Sequence, residues 1–397
     1  MSDYLLVLNA GSSSLKFSVF ARAAADGWNA VANGQVDGIG TAPRFHAKDA
    51  TGELLADRPL TDVRDAHGAF AVIGEWLPAH CAGARMLGVG HRVVHGGAHY
   101  TAPTRVTPQV LEDLRALVPL APLHQPHNLA AIEAMLERLP GVPQIACFDT
   151  SFHRGQPAVA ELVPLPAEIR RHGVQRYGFH GLSYEYIAQV LPQVAPAIAG
   201  GRVIVAHLGS GASLSALRNG KGVDCSFGFT PLDGLCMGTR PGAIDAGVIL
   251  YLLQTLGLSA KEVETMLYKQ SGLLGISGSS SDMRDLLASS DSNARLAVDY
   301  FVYRAAKEIG AFAAVLGGVD GLVFTAGIGE HSAEIRRRIG AASAWLGIAF
   351  DERANAQHGP CISTSGSRVS AWVIPTNEEL MIARHTGLLL GLTQVPA

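Results

Sequence analysis

Short apolar runs that stop abruptly at glycine-rich or polar turns recur along the chain. Residues 5–8 precede Asn9-Ala-Gly-Ser-Ser-Ser, residues 203–206 precede His207-Leu-Gly-Ser-Gly, and residues 321–325 precede Ala326-Gly-Ile-Gly-Glu. Runs of this length, bounded by turn residues, predict buried strands. Between them lie helical stripes. Leu129, Ile132, Leu136 and Leu139 share one face and end at Pro140-Gly141; Val298, Phe301, Val302, Ala305, Ile309 and Phe312 share another and end at Gly317-Gly318. Strands alternating with helices predict an α/β fold. Residues 372–375 predict a last strand, and Thr376-Asn-Glu-Glu379 fits a capping box with Thr376 as N-cap and Glu379 at the third helical position, which leaves Glu378 free to bind a hard cation.

One segment is echoed halfway along the chain. Val7-Leu-Asn-Ala-Gly-Ser-Ser-Ser-Leu resembles Val205-Ala-His-Leu-Gly-Ser-Gly-Ala-Ser-Leu, which suggests either a duplicated fold or a chance likeness of two Gly-Ser turns. The 397 residues favour two or three domains. The irregular Gly155-Gln-Pro and Val163-Pro-Leu-Pro stretch marks either a boundary near residue 150 or a long surface loop.

Composition narrows the function. With 48% hydrophobic and 16% charged residues the chain is not disordered, and Lys+Arg 31 against Asp+Glu 34 lacks the cationic excess of a nucleic-acid binder. The first apolar run stops at Asn9, so no export signal is expected; residues 248–253 are far short of the roughly 20 apolar residues of a membrane span. Five cysteines without a C-x-x-C pair indicate neither a disulfide framework nor a zinc site, so a reducing cytoplasm is expected.

Turns of small residues after strands can present several backbone N–H groups to one anion. There is no Walker motif, and Gly209-Ser-Gly211 lacks the third glycine of a dinucleotide fingerprint. Three such turns beside Asp282-Met-Arg284 point to phosphate handling, with Lys16 after the Ser12-Ser13-Ser14 turn able to neutralise phosphate oxygens. Arg92 in Gly90-His-Arg-Val-Val-His-Gly-Gly97 and Arg240 in Met237-Gly-Thr-Arg-Pro-Gly242 stand where a backbone can approach a ligand. If the substrate is a carboxylate, both are needed: an anion within about 4 Å of a phosphoryl group costs about 4 kcal/mol per charge pair at an effective dielectric of about 20. His180, in Tyr177-Gly-Phe-His-Gly181, and Asp149, after residues 142–148, sit in loops that reach clefts.

These segments, in this order, closely resemble the acetokinase family. The resemblance rests on Leu6-Val-Leu-Asn-Ala-Gly-Ser-Ser-Ser-Leu-Lys16, on Gly90-His-Arg-Val-Val-His-Gly, on Cys147-Phe-Asp-Thr-Ser-Phe-His153 and on Tyr177-Gly-Phe-His-Gly181. It continues through Val205-Ala-His-Leu-Gly-Ser-Gly-Ala-Ser213, Phe229-Thr-Pro-Leu-Asp-Gly-Leu, Met237-Gly-Thr-Arg240, Ser281-Asp-Met-Arg-Asp285, Phe324-Thr-Ala-Gly-Ile-Gly-Glu330 and Pro375-Thr-Asn-Glu-Glu-Leu380. It implies two duplicated ribonuclease-H-like (actin-like ATPase) domains with the active site in the interdomain cleft. The halves would be residues 1–150, joined by a C-terminal helix at about 380–397, and a nucleotide-binding half at 151–379. The implied activity is reversible phosphoryl transfer between ATP and acetate, giving ADP and acetyl phosphate, with Mg²⁺ (Mn²⁺ as a substitute), in a cytoplasmic homodimer without nucleic-acid or membrane partners.

The resemblance also implies residue roles. Asn9 and Glu378 would hold Mg²⁺, and Ser12, Ser14 and Lys16 would line the phosphate path. Arg92 and Arg240 would grip carboxylate and phosphoryl group, His180 would stabilise that group, and Asp149 would orient an arginine or take part in catalysis. Nucleotide contacts would come from His207, Leu208, Gly209, Ser210 and Gly211, from Asp282, Met283 and Arg284, and from Gly327, Ile328, Gly329, Glu330 and His331. Val94, Leu123, Phe179 and Pro231 would form a small apolar pocket. Departures from the family pattern at Pro241, Ala243, Ala246, Ser210, His331, Gln125 and His127 bear on base preference and ATP affinity more than on the reaction. Three other readings remain: a propionate or other short-chain acyl kinase, which Val94 disfavours on size; a covalent phospho-Glu mechanism; and a non-catalytic actin-like ATPase or binding module.

Overall fold

The computed structural model describes residues 3–23, 27–81 and 83–393. They form two compact units, one within residues 1–151 together with 377–393 and the other Phe152–Thr376.

The first unit is built on an eight-stranded sheet. Its strands are β1 (Tyr4–Ala10), β2 (Leu15–Arg22), β3 (Trp28–Asp37), β4 (Arg44–Asp49), β5 (Leu54–Pro59), β6 (Met86–Val93), β7 (Thr104–Arg105) and β8 (Gln144–Phe148), in the order β5-β4-β3-β2-β1-β6-β8-β7. Strands β1 to β5 form an antiparallel meander, β6 and β8 run parallel to β1, and β7 closes the edge antiparallel to β8. β8 is buried at every position, as an interior strand covered on both faces requires. Leu6 and Leu8 share a core with Phe70, Ile73 and Trp76 of the helix Ala66–His80 and with Ala131 and Met135 of the helix Gln125–Arg138. The C-terminal helix Glu378–Leu389 packs on β6, β1 and β8. Gly90 makes this approach possible, because a Cβ there would overlap Thr386 and Ile382 of that helix.

The second unit repeats the plan with five strands: β9 (Arg202–Leu208), β10 (Ala212–Arg218), β11 (Lys221–Cys225), β12 (Gly321–Thr325) and β13 (Ser370–Val373), in the order β11-β10-β9-β12-β13. β9 to β11 are antiparallel, and β12 and β13 run parallel to β9. This is the β3-β2-β1-β6-β8 order of the first unit, which is the ribonuclease-H-like topology occurring twice. The two echoed segments are the equivalent β1–turn–β2 and β9–turn–β10 hairpins, so the echo is a duplication and not a coincidence of Gly-Ser turns. The helix Ser292–Leu316 covers β10 and β9 with its expected stripe and stops at Gly317, whose φ of 69° suits a residue without a side chain.

One local expectation is corrected. The last helix is capped by Asn377, whose Oδ1 accepts the Leu380 N–H at 2.9 Å, and not by Thr376, whose buried hydroxyl has no partner among the described residues. The cap is one residue later than a Thr-x-x-Glu pattern suggests, so Glu379 is not tied up in a capping box and stands in the first turn beside Glu378. Of the expected C-terminal helix, residues 394–397 lie outside the described residues, and the helix ends at Leu389. All five cysteines are free, and no described helix is long and apolar enough to cross a membrane.

Candidate active site

In the first unit the parallel strands β1, β6 and β8 end side by side, the position at which open α/β sheets present ligand-binding groups. Asn9 lies near the end of β1, Arg92 near the end of β6, and Asp149 just past β8. Glu378 enters from the first turn of the C-terminal helix. Arg92 donates through Nη2 and Nε to the two Asp149 oxygens at 2.6 and 3.2 Å and through Nη1 to Asn9 Oδ1 at 3.3 Å; its Nε also lies 3.6 Å from Glu378. Burial alone would lower the Arg92 pKa, but the fields of Asp149 and Glu378 outweigh it and raise it, so the guanidinium stays charged. Burial pushes Glu378 up to about 7, against the pull of Arg92 and with help from Asp149 and Glu379. Its negative charge is therefore incompletely balanced by the protein.

Two buried amides hold this cluster in place: Asn128, which the sequence motifs do not point to, and Gln125, which stands out only as a departure from the family pattern and here braces backbone. Asn128 accepts from Val94 N–H at 3.0 Å and donates to Ala10 O at 2.8 Å, tying the exits of β6 and β1 together. Gln125, fully buried, binds both the N–H and the C=O of His95. The helix pattern around Leu129 is visible in the sequence, but buried polar residues inside it look like ordinary polar positions until the fold shows which backbone they face. Val94 is buried and Leu123 half-buried in this unit, whereas Phe179 and Pro231, expected beside them in one pocket, belong to the second unit. Ser12 and Lys16 are exposed and Ser14 is half-buried, on and after the β1–β2 turn.

The second unit gathers a different set. His180 caps the helix Gly181–Val194 in a left-handed conformation (φ 59°, ψ 24°), an uncommon state for a residue with a side chain and one that clusters at functional sites. Its ring lies 4.0 Å from that of His207 and meets Phe227 edge-on at 5.1 Å. Its Nδ1 is 2.9 Å from Ser213 Oγ, and Tyr184 Oη lies 2.5 Å from the same oxygen. His207 is occupied by Ser183, at 2.8 Å. A Cβ built on Gly211 would stand 2.8 Å from Arg240 Nη2 and 3.4 Å from His180 Nε2, so both groups flank this bare stretch of backbone. Arg240 donates to Pro231 O at 2.7 Å and lies over the Phe227 ring. Among the described residues it forms no ion pair, and burial draws its pKa down to about 10. A buried, unneutralised guanidinium beside an imidazole is a site for an anion.

The three expected nucleotide blocks line one cleft of 810 Å³ in this unit. Gly209 and Ser210 come from the β9–β10 turn, Asp282 to Arg284 from the start of the helix Met283–Ala288, and Gly327, Ile328 and His331 from the helix Ala326–His331. Leu208 and Gly329 are buried behind it. Two carboxylates in these blocks are already engaged. Glu330 turns inward to accept the N–H groups of Ala326 and Thr376 at 2.7 and 3.2 Å, and Asp282 caps its helix and pairs with Arg284. Glu330 is thus a brace for the turn, where its motif suggests a nucleotide contact.

Two ribonuclease-H-like sheets with anion-suited groups at their strand ends define a phosphotransferase of the acetate/sugar kinase and actin-like ATPase architecture. The acetokinase family model matches residues 4–384, and the chain belongs to the acetokinase family. It is 53% identical over 390 residues to the acetate kinase of Nitrobacter hamburgensis, covering 98% of this chain and 96% of that one. It is 50% identical over 391 residues to the acetate kinase of Rhizobium meliloti, with 98% and 99% covered. Solved structures of a propionate kinase from Francisella tularensis (TM-score 0.90, 37% identity, 97% and 99% covered) and of the Porphyromonas gingivalis acetate kinase (TM-score 0.87, 36%, 98% and 100%) share the fold.

Proposed function

We propose that this enzyme transfers the γ-phosphoryl group of ATP directly to acetate, reversibly, giving acetyl phosphate and ADP. A carboxylate oxygen attacks phosphorus as the bond to the ADP oxygen breaks. No proton moves, because acetate is already ionised at neutral pH, so charge placement supplies the catalysis. The observation that carries this reading is Arg240, buried without a carboxylate partner among the described residues and flanking Gly211 together with His180.

In this reading Arg240 and His180 receive the transferring phosphoryl group, and the Gly209–Gly211 and Asp282–Arg284 segments with Gly327, Ile328 and His331 bind the nucleotide. Arg92, oriented by Asp149, steadies the carboxylate, with Val94, Leu123, Phe179 and Pro231 as apolar contacts; Ser12, Ser14 and Lys16 lie along the phosphate path. The incompletely balanced Glu378 carboxylate and the Asn9 carbonyl oxygen suit a hard cation such as Mg²⁺ or Mn²⁺. Among the described residues no group of three His, Cys, Asp or Glu side chains forms a metal cage, so such an ion would take its other ligands from phosphate and water. When bound, it neutralises charge on the ATP phosphates. Direct transfer needs no phospho-Glu intermediate, and in this reading Glu378 serves the metal instead.

The enzyme works in the cytoplasm as a homodimer. The helix Ala246–Gln254, which has no buried residue and exposes Val248, Leu250 and Tyr251, offers an apolar face for a second copy.

The test is ADP release that depends on acetate and Mg²⁺, with hydroxylamine trapping acetyl hydroxamate. Acetate-independent ATP turnover without trapped product would overturn the reading in favour of a binding module. Because one structural relative is a propionate kinase, acetate, propionate and butyrate are compared in the same assay. Buried Val94 favours acetate, but one methylene is worth only about 1–3 kcal/mol in a pocket, so propionate is expected as a slower substrate.

A further inference from the structure

His180 is useful to an anionic phosphoryl group only if its Nε2 carries a proton, and the structure contains a device that can set this. Ser213, on β10, is fully buried, and its hydroxyl oxygen lies between His180 Nδ1 at 2.9 Å and Tyr184 Oη at 2.5 Å. Tyr184 is itself fully buried one helical turn after His180, and its N–H donates to the His180 carbonyl at 3.1 Å, so the two residues share one rigid turn. A serine hydroxyl has one proton and two lone pairs. Among the described residues this buried hydroxyl has no other hydrogen-bond partner, so its proton goes to one of these two groups: if Tyr184 donates to Ser213, the Ser213 proton goes to His180 Nδ1, which is then the bare nitrogen, and Nε2 carries the hydrogen. The reverse order would leave a lone pair on Nε2 facing the same backbone stretch as Arg240, where an anion would be repelled.

We infer that Tyr184 and Ser213 are positioning residues that hold His180 as the neutral Nε2–H tautomer, a fixed donor aimed at the transferring phosphoryl group. The left-handed backbone at His180 belongs to the same device, since it places the imidazole over β10 while the helix that follows carries Tyr184 to the same serine. A base held in its wrong tautomer can lose several orders of magnitude in rate even when its geometry is intact. Losing one orienting hydrogen bond from a relay costs less, about tenfold.

The inference rests on the proposed role of His180, and its test separates the two. Long-range ¹H–¹⁵N correlation of histidine-labelled protein with Mg²⁺ and ADP, assigned by comparison with His180→Gln, should show a bare Nδ1 and a protonated Nε2. This arm does not depend on turnover. Ser213→Ala and Tyr184→Phe should give mixed tautomers and reduce kcat about tenfold with the KM for ATP and acetate little changed. In a His180→Ala background Ser213→Ala should cost no further activity, whereas a merely structural serine would cost the same in both backgrounds. An imidazolium, a protonated Nδ1, or additive losses in the double mutant would overturn the inference.

Discussion

The two units hold their arginines in opposite ways. Arg92 is neutralised by Asp149 at 2.6 Å and has Glu378 nearby, whereas Arg240 meets a carbonyl oxygen and an aromatic face and, among the described residues, no carboxylate. Their pKa values move accordingly, Arg92 upward and Arg240 down to about 10. Two guanidiniums that look alike in sequence therefore have different demands. Arg92 already has a counter-ion in Asp149 and orients, and Arg240 carries a charge that no carboxylate among the described residues balances.

Removing either arginine should reduce turnover by roughly 10³–10⁵, by analogy with arginine fingers; stability is what tells them apart. Arg92→Ala leaves Asp149 buried and unpaired and should cost about 3–5 kcal/mol in urea unfolding. Arg240→Ala removes an unbalanced charge and should leave the unfolding midpoint unchanged or higher. Equal destabilisation by both would end the comparison.

Glu378→Gln should come next. It keeps the shape but removes the charge proposed for the metal, so the Mg²⁺ concentration for half-maximal activity should rise about 10–100-fold, as titration at saturating ATP would reveal. An unchanged Mg²⁺ requirement would place the ion elsewhere.

Acid should act on both units alike, through one buried histidine in each. Burial pulls His91 and His153 down to about 4, His91 despite its bond to Gln144 and His153 despite its bond to the Phe179 carbonyl. The unfolded chain takes up these protons first, near pH 6.5, so the stabilisation is complete above that pH and is lost as pH falls towards 4. Each histidine should contribute a slope of up to about 1.4 kcal/mol per pH unit in that window. Unfolding at pH 7.5 and 5 should show it, and His91→Gln should flatten the slope by one histidine's share.

The smallest effect concerns the helix that carries Glu378. Asn377→Ala should cost about 1 kcal/mol, while Thr376→Val, which removes a buried hydroxyl without a partner among the described residues, should cost nothing or stabilise. The opposite ranking would restore Thr376 as the cap.

Much of the fold and of the candidate site is legible in the amino-acid sequence. The strands β1, β9 and β12, the stripe of Ser292–Leu316 and its glycine stop follow from local periodicity and turn chemistry, which neighbouring residues decide among themselves. The glycine turns stand out as small residues after strands, Arg92 and Arg240 because each sits among residues that let a backbone approach a ligand, and His180 because it lies in a loop between Phe179 and Gly181. The cap of the last helix lies one residue beyond its expected place, because Thr376 and Asn377 are both good N-caps and only the path of the chain into the helix selects between them.

Sequence alone therefore determined the family, the alternation of strands and helices and the residues able to meet a phosphate. Tertiary structure decided which of those residues are already satisfied. It turned Glu330 inward, paired Asp282 with Arg284, gave Arg92 a counter-ion and left Arg240 without one among the described residues, and set Ser213 between Tyr184 and His180. The reason is physical: a side chain's type is written at its own position, but its hydrogen-bond partners, its burial and hence its charge come from segments tens of residues away that only folding brings alongside.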